Sequence, residues 1–298
     1  MQLPVLNISQ FKESAPLNEV YINSFSKHIQ RNKDLINKPH SHNFYLCVLF
    51  TKGTGIHEID FDSYTINPGR VFFLKPGQTH FWKFKTQPEG YIFFHSQEFY
   101  DLKFLNHTLH SFPFYYSYQN PPVVDLTSQQ LSLLQLKFKE AYTEYMQPNL
   151  LRELKIANLF SDIYIELTRA YTTNINLEML KTSQYSQILE KLEHLINNHF
   201  LKEKLPKFYA QELNITTKHL NRVVQKTINK TTSQLISERI ILEAKRLIVH
   251  SHDNLATIAY QLEFSDYAYF SKVFKSKTGL TPLEFRKTYR VNCNQIFT

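Results

Sequence analysis

The spacing of apolar residues changes character twice along this chain. From Pro39 to about Phe99 they come in short runs rich in aromatic and β-branched side chains: FYLCVLF (44–50), GIHEIDF (55–61), YTINPG (64–69), VFFLKPG (71–77), HFWKF (80–84) and YIFFHS (91–96). Gly, Pro or Asp turns separate them every eight to twelve residues, which predicts antiparallel strands forming a sandwich or barrel. Parallel α/β folds need helical crossovers, and the runs leave no room for them. Residues 1–36 show no clear period. From Ser128 the rhythm is helical: Leu131, Leu134, Phe138, Ala141 and Tyr145, then, beyond Pro148, Ile156, Phe160, Ile163, Leu167 and Ala170. Two such stripes predict an antiparallel helical hairpin that lies on the barrel or pairs with a second subunit. Residues 172–183 lose the pattern and read as a linker. Beyond it every segment is helical: 185–200, 206–213, 216–228, 232–251 and the stretch from Leu255 to Arg286. The expected fold is α+β and multidomain. A β-barrel with its hairpin occupies 1–171, a linker 172–183, and an all-α domain 184–298.

Leu255, Ile258, Ala259 and Leu262 form one short helical stripe, and Ser265 and Asp266 supply N-cap chemistry for the next helix. Phe270, Val273 and Phe274 point one way on that helix, while Tyr267, Ala268, Ser271, Lys272 and Lys275 fall elsewhere. Gly279 fits a helix stop, and Thr281-Pro282 fits an N-cap with Pro at the first helical position. The whole describes a helix-turn-helix, although one such pattern alone also describes an ordinary helical hairpin. A second copy decides between them. Ala210, Leu213, Ile215 and Thr216 align with Ala259, Leu262, Phe264 and Ser265 at an offset of 49, and Leu220, Arg222 and Val224 align with Phe270, Lys272 and Phe274 at an offset of 50. The helix between the copies, about twenty residues, spans roughly 30 Å and holds the two recognition helices about one turn of DNA apart.

Charge sharpens this reading. Residues 1–179 carry 16 Lys and Arg against 16 Asp and Glu; residues 180–298 carry 18 against 10, so the whole excess of +8 sits in the second part. A polyanionic partner for that part alone follows. The longest apolar run, Phe44–Phe50, is far too short to span a bilayer, and the amino end has no signal-peptide pattern. Cys47 and Cys293 are the only cysteines; no disulfide framework is implied, and a reducing cytoplasm is the simplest home.

The segment from about 185 to 290 resembles the DNA-binding domain of AraC/XylS-type transcription regulators. The residues that carry it are Ile258-Ala259, Phe264-Ser-Asp266, Tyr269-Phe270-Ser-Lys272-Val-Phe274-Lys275 and Gly279-Leu-Thr-Pro282-Leu-Glu-Phe-Arg286, with Arg239 and Ala244 of the joining helix. Glu263 stands where the family has Gly, Asn214 at the equivalent turn of the first copy, and Thr232 where Pro is common. The resemblance implies double-stranded DNA as partner. Base edges would be met by Lys218, Asn221 and Arg222 in the first unit, and by Tyr267, Ala268, Ser271 and Lys272 in the second. His219, Lys226, Lys275 and Lys277 would meet phosphates. A homodimer through 128–171, a small-molecule effector and RNA polymerase are further partners that fit such a regulator, and no cofactor is expected.

The first part is similar to the cupin-type sensor domain such regulators carry: Pro39-His40-Ser-His42 and Pro76-Gly77-Gln-Thr-His80 match the His-x-His and Pro-Gly-x-x-His elements. Cupin enzymes ring a metal with three His and a Glu, and His40, His42 and His80 would be the ligands for Zn or Fe. Leu46 stands where the carboxylate is expected. The alternative for these histidines is an interior polar set that shapes a pocket. Its lining would be His40, His42, Tyr45, His80, Trp82 and Phe94. No nucleophile–base pairing or phosphate loop accompanies them, so no catalytic site is indicated. The rival readings are a cupin metalloenzyme with a helical appendage and a helical protein-interaction module.

Overall fold

The computed structural model describes residues 4–11, 17, 19–36, 38–101, 109, 112–116, 120–172 and 184–295. They fall into two compact units, one ending with Thr172 and one beginning at Gln184. The expected linker, apart from Thr172, lies outside the described residues.

The first unit is built on ten strands, β1 (Val5–Leu6), β2 (Val20–Ser24), β3 (Ser41–His42), β4 (Tyr45–Lys52), β5 (Gly55–Ile59), β6 (Asp62–Ile66), β7 (Arg70–Leu74), β8 (His80–Phe84), β9 (Glu89–His95) and β10 (Val123–Asp125) among the described residues. All six runs read from the sequence are strands. β10, β7, β4, β9 and β2 form one antiparallel sheet in that order, β6, β5 and β8 a second, and β1 pairs in parallel with β3. Short helices α1 (Phe25–Arg31), α2 (Lys33–Ile36), α3 (Gln97–Asp101) and α4 (Pro113–Tyr116) connect them. α5 (Ser128–Met146) and α6 (Arg152–Thr172) form the expected hairpin.

The five-stranded sheet is buried on both faces, which is why FYLCVLF reads as a solid apolar run instead of alternating. One face carries Tyr45, Cys47, Leu49, Val71, Phe73 and Phe93 against Leu134, Phe138, Ala141, Ile156, Phe160, Ile163 and Leu167 of the hairpin. Phe93 stacks on Phe160 with ring centroids 4.1 Å apart, and burying a side chain of that size stabilises by roughly 1.5–3 kcal/mol. The predicted stripes are therefore consumed by the barrel. The other sheet face carries Leu46, Val48, Phe50, Phe72, Leu74 and Phe94 inward, opposite Ile59, Ile66, Trp82 and Phe84 of the three-stranded sheet. α5 starts on a reciprocal cap, in which the Gln130 N–H donates to Thr127 Oγ1 at 3.3 Å and the Thr127 N–H to Gln130 Oε1 at 2.9 Å.

The second unit is helical throughout its described residues: α7 (Gln184–His199), α8 (Pro206–Glu212), α9 (Thr217–Ile228), α10 (Thr232–His250), α11 (Leu255–Gln261), α12 (Tyr267–Thr278) and α13 (Pro282–Gln295). α10 is the hub, packed by α7, α8 and α9 on one side of the repeat and by α11 and α13 on the other. Two cations take up carbonyls at or just beyond helix C-termini across the unit, where carbonyls lack intrahelical partners. Arg286 donates from Nε to Ile248 O and from Nη2 to Asp253 O, both at 2.8 Å. Lys204, just before α8, donates to Leu262 O at 2.9 Å and Glu263 O at 2.5 Å. Its ammonium also sits 4.3 Å from the centroid of the Phe264 ring.

Candidate DNA interface and the barrel interior

The two helix-turn-helix units share a backbone as well as a sequence pattern. At the end of α8 the N–H of Asn214 donates to Gln211 O and that of Ile215 to Ala210 O; at the end of α11 Glu263 donates to Tyr260 O and Phe264 to Ala259 O. This is the six-to-one and five-to-two bonding of a Schellman turn. It requires a left-handed residue, and Asn214 and Glu263 take φ of 53° and 54°. Glu in place of Gly has strained the second turn without altering it. Each recognition helix then starts on a side-chain cap: Thr216 Oγ1 accepts the His219 N–H at 3.1 Å, and Asp266 Oδ1 the Tyr269 N–H at 2.7 Å. Each ends on a left-handed residue, Asn229 or Gly279.

Leu220, Val223 and Val224 bury one side of α9; Phe270 and Phe274 bury the same side of α12. At about 100° per residue the opposite side of α9 is centred on Lys218, Arg222 and Gln225, and that of α12 on Ala268, Lys272 and Lys275. All six are exposed, as is Lys226 at the edge. Arg222 Nη2 donates to His219 Nδ1 at 2.6 Å, so that ring is held as an acceptor and the guanidinium fork is oriented. Tyr267 and Ser271 are half-buried at the flanks of α12. Asn221, expected to meet bases, is half-buried on the flank of α9, and its Oδ1 accepts the Thr232 N–H at 3.1 Å. Gln225 was not among the expected contacts. Its position seven residues after Lys218 and three after Arg222 places it on their face, and that spacing was available in the sequence.

The barrel interior gathers more histidines than the sequence motif contains. His40, His42 and His80 do meet, with ring centroids 4.4 Å apart for His40 and His80 and 5.2 Å for His42 and His80. His57 joins them, its Nε2 3.0 Å from His80 Nδ1, and Trp82 lies 4.7 Å from the His80 ring centroid to centroid. His28 of α1 packs edge-on against Trp82 and Phe94. Tyr45 does not belong to this set. Successive residues of a strand face opposite ways, so Tyr45 turns with Cys47 toward the hairpin, stacking on His95 at 5.7 Å. Alternation in GIHEI, where Gly55, His57 and Ile59 are buried, is the signal that could have found His57. His28 lies in the stretch without a period.

Backbone carbonyls fix the tautomers of two rings. His40 Nδ1–H donates to Lys38 O at 2.8 Å and His42 Nδ1–H to Phe44 O at 2.7 Å. His28 Nε2, His42 Nε2, His57 Nδ1, His80 Nε2 and Trp82 Nε1 are buried and meet no hydrogen-bond partner among the described residues. Burial pushes all five imidazoles below the usual histidine range, His28 and His42 to about 3, and neighbouring rings push His28, His42, His57 and His80 the same way. The interior is thus a neutral set of donors and acceptors walled by Phe rings. Among the described residues no three His, Cys, Asp or Glu side chains are placed to share one metal ion. Beneath the hairpin His95 donates to Ser96 O and accepts from Tyr164 at 2.7 Å.

Comparison with known proteins bears on both units. Residues 24–198 match the family described as AraC-like ligand binding domain, and residues 209–288 the family described as helix-turn-helix domain. The chain is 26% identical over 254 residues to the HTH-type transcriptional activator RhaS of Escherichia coli O81 (strain ED1a), covering 83% of this chain and 87% of that protein. It is 23% identical over 264 residues to the RhaS of Enterobacter sp. (strain 638), with the same coverage. Among solved structures, ToxT from Vibrio cholerae is similar over 91% of this chain and 99% of its own, at 15% identity and a TM-score of 0.44.

Proposed function

The chain belongs to the AraC-type transcription regulators, with a ligand-binding domain ahead of a helix-turn-helix DNA-binding domain, and from that premise we propose how its parts share the work. Residues 184–298 read DNA, residues 1–171 sense and pair, and 172–183 link them. Lys218 and Arg222 meet base edges from α9; Ala268, Ser271 and Lys272 face the groove from α12, with Tyr267 beside them. His219, Lys226, Lys275 and Lys277 meet phosphates, which position the protein without specifying sequence. The observation that carries this is the repetition of one outward cationic face on two helices with the same caps and the same turn. α10 between them has nineteen residues, about 28 Å at ~1.5 Å each, suited to two successive major grooves.

A small-molecule effector acts through the barrel, where His40, His42, His80, Trp82 and Phe94 converge. It works only if it has different affinity for two arrangements of the protein. Two copies pair through 128–171, using the outward side of the hairpin, since its inward stripes are covered. The protein works in the cytoplasm as an activator, with RNA polymerase as its further partner. The relatives this chain is similar to are transcription activators, which favours a regulator over an enzyme.

Selection of bound sequences from random duplex DNA by the full chain is the test. Two half-sites about 10–10.5 base pairs apart are expected, with affinity falling steeply as salt rises. Enrichment of no sequence, or binding indifferent to salt, would remove the reading.

A further inference from the structure

The departure from Pro at Thr232 and the bond made by Asn221 explain each other. Residue 232 is the first of α10, capped by Thr231. Its N–H points out of the helix end and has no intrahelical acceptor. In the second unit the same position is Pro282, behind Thr281, and proline has no N–H to satisfy. Asn221 Oδ1 takes up the Thr232 N–H at 3.1 Å. Ser271, fifty residues on, has no such donor to serve. Thr232 is fully buried and its Oγ1 meets no partner among the described residues; the Asn221 contact answers its backbone N–H, the group that proline would lack.

We propose that Asn221 is a positioning residue that fastens the recognition helix α9 to α10, and that Gln225 is the residue that reads adenine in the first half-site. This rests on the DNA-reading function above. At about 100° per residue Asn221 lies roughly 70° from the centre of the outward face of α9, whereas Gln225 lies about 30° from it, beside Lys218 and Arg222. Gln225 is exposed, and its Nε2 donates to Asn229 Oδ1 at 2.6 Å at the helix end. A Gln amide forks onto the N6 and N7 edge of adenine as an Arg forks onto guanine. The corresponding trio on α12 is Ala268, Lys272 and Lys275, which has no forked group. The first half-site is therefore defined at two bases by Arg222 and Gln225, and the second is bound with little base preference.

Four full-length variants test this by thermal melting and by selection from random duplexes. Asn221→Ala should lower the melting midpoint of the helical unit by about 2–8 °C. Thr232→Pro should suppress that loss, because Thr231 already has the extended backbone (φ −90°, ψ 156°) that precedes proline. The double variant should melt as Thr232→Pro alone and select the wild-type sequence. Gln225→Ala should melt as wild type and relax preference at one base pair by about tenfold. A double variant that loses one base preference would make Asn221 a reader, and one that still melts early would remove the clamp. Unchanged selection by Gln225→Ala would overturn its role. Wild-type protein that selects nothing would instead remove the DNA reading on which the proposal stands.

Discussion

A buried imidazole is tolerated only while it stays neutral, and among the described residues of the first unit six are buried: His28, His40, His42, His57, His80 and His95. Each is pushed below the ordinary range first by desolvation, His28 and His42 to about 3 and His95 to about 4. In the unfolded chain each titrates near pH ~6.5. Above that pH neither state binds the proton and stability is unaffected. As pH falls below it the unfolded chain takes up protons that the folded unit refuses, so stability falls, by up to about 1.4 kcal/mol per pH unit for a ring that stays neutral in the folded unit. Trp82 is the one tryptophan of the chain and lies within this cluster, so its fluorescence reports this unit alone. Its melting midpoint should be flat between pH 8 and 7 and drop steeply between pH 6 and 5. A midpoint unchanged at pH 5 would mean the rings reach solvent. Only part of this cluster was legible. The His-x-His and Pro-Gly-x-x-His motifs pointed to three rings, but His28 joins from a helix that carries no periodic signal.

At the scale of elements, repetition made the second unit readable almost residue by residue. The helices expected at 206–213 and 216–228 are α8 and α9 within a residue or two, because Pro206, Thr216 and Asn229 mark their ends chemically. β2 was not readable, for the opposite reason. Val20, Tyr21, Ile22 and Asn23 are all buried, so no alternation shows, and α1 begins directly at Phe25 with no Gly or Pro between. Tyr45 was assigned to the wrong face because a strand buried on both sides offers no polar residue to set the phase. The bond from the Thr232 N–H to Asn221 Oδ1 could not be foreseen, because such an acceptor role leaves no trace in a helical pattern. The turns carry their own prediction. A non-glycine residue in the left-handed region costs roughly 1–2 kcal/mol, and Gly returns about half of that through its entropy in the unfolded chain. Glu263→Gly should therefore raise stability by about 0.5–1 kcal/mol in denaturant titration, while Asn214→Gly changes less because Asn tolerates that backbone. A loss on Glu263→Gly would show that the Glu side chain supports the turn.

Among the described residues of the first unit, most of the apolar surface left uncovered lies on the hairpin. Leu136, Leu150 and Leu151 are 67%, 92% and 67% exposed, and Leu154 is 45% exposed. They lie on α5, α6 and the bend between, where Leu151 also takes a left-handed φ of 59°. A monomer gains nothing from leucines so placed. The paired-subunit proposal therefore predicts that Leu150→Lys with Leu154→Lys gives a monomer by sedimentation, with Trp82 melting unchanged. A dimer that survives both charges pairs elsewhere. Among the described residues no helix is long and apolar enough to cross a membrane.

Lys204 makes a contact whose effect is one of phase. It lies ahead of the first helix-turn-helix and is bonded to the turn of the second, so it joins the two reading units by a route other than α10. Two points of attachment fix a twist where one leaves it free. DNA turns by about 34–36° per base pair at 10–10.5 pairs per turn. A reader with a fixed twist must reject a half-site displaced by one pair, even though the added length is small. Lys204→Met keeps the packing on Phe264 and gives up both carbonyls. The variant should bind the natural spacing somewhat less tightly and bind sites with one pair added or removed with less discrimination against them. If its spacing preference is as sharp as that of the wild type, α10 alone sets the angle between the two readers.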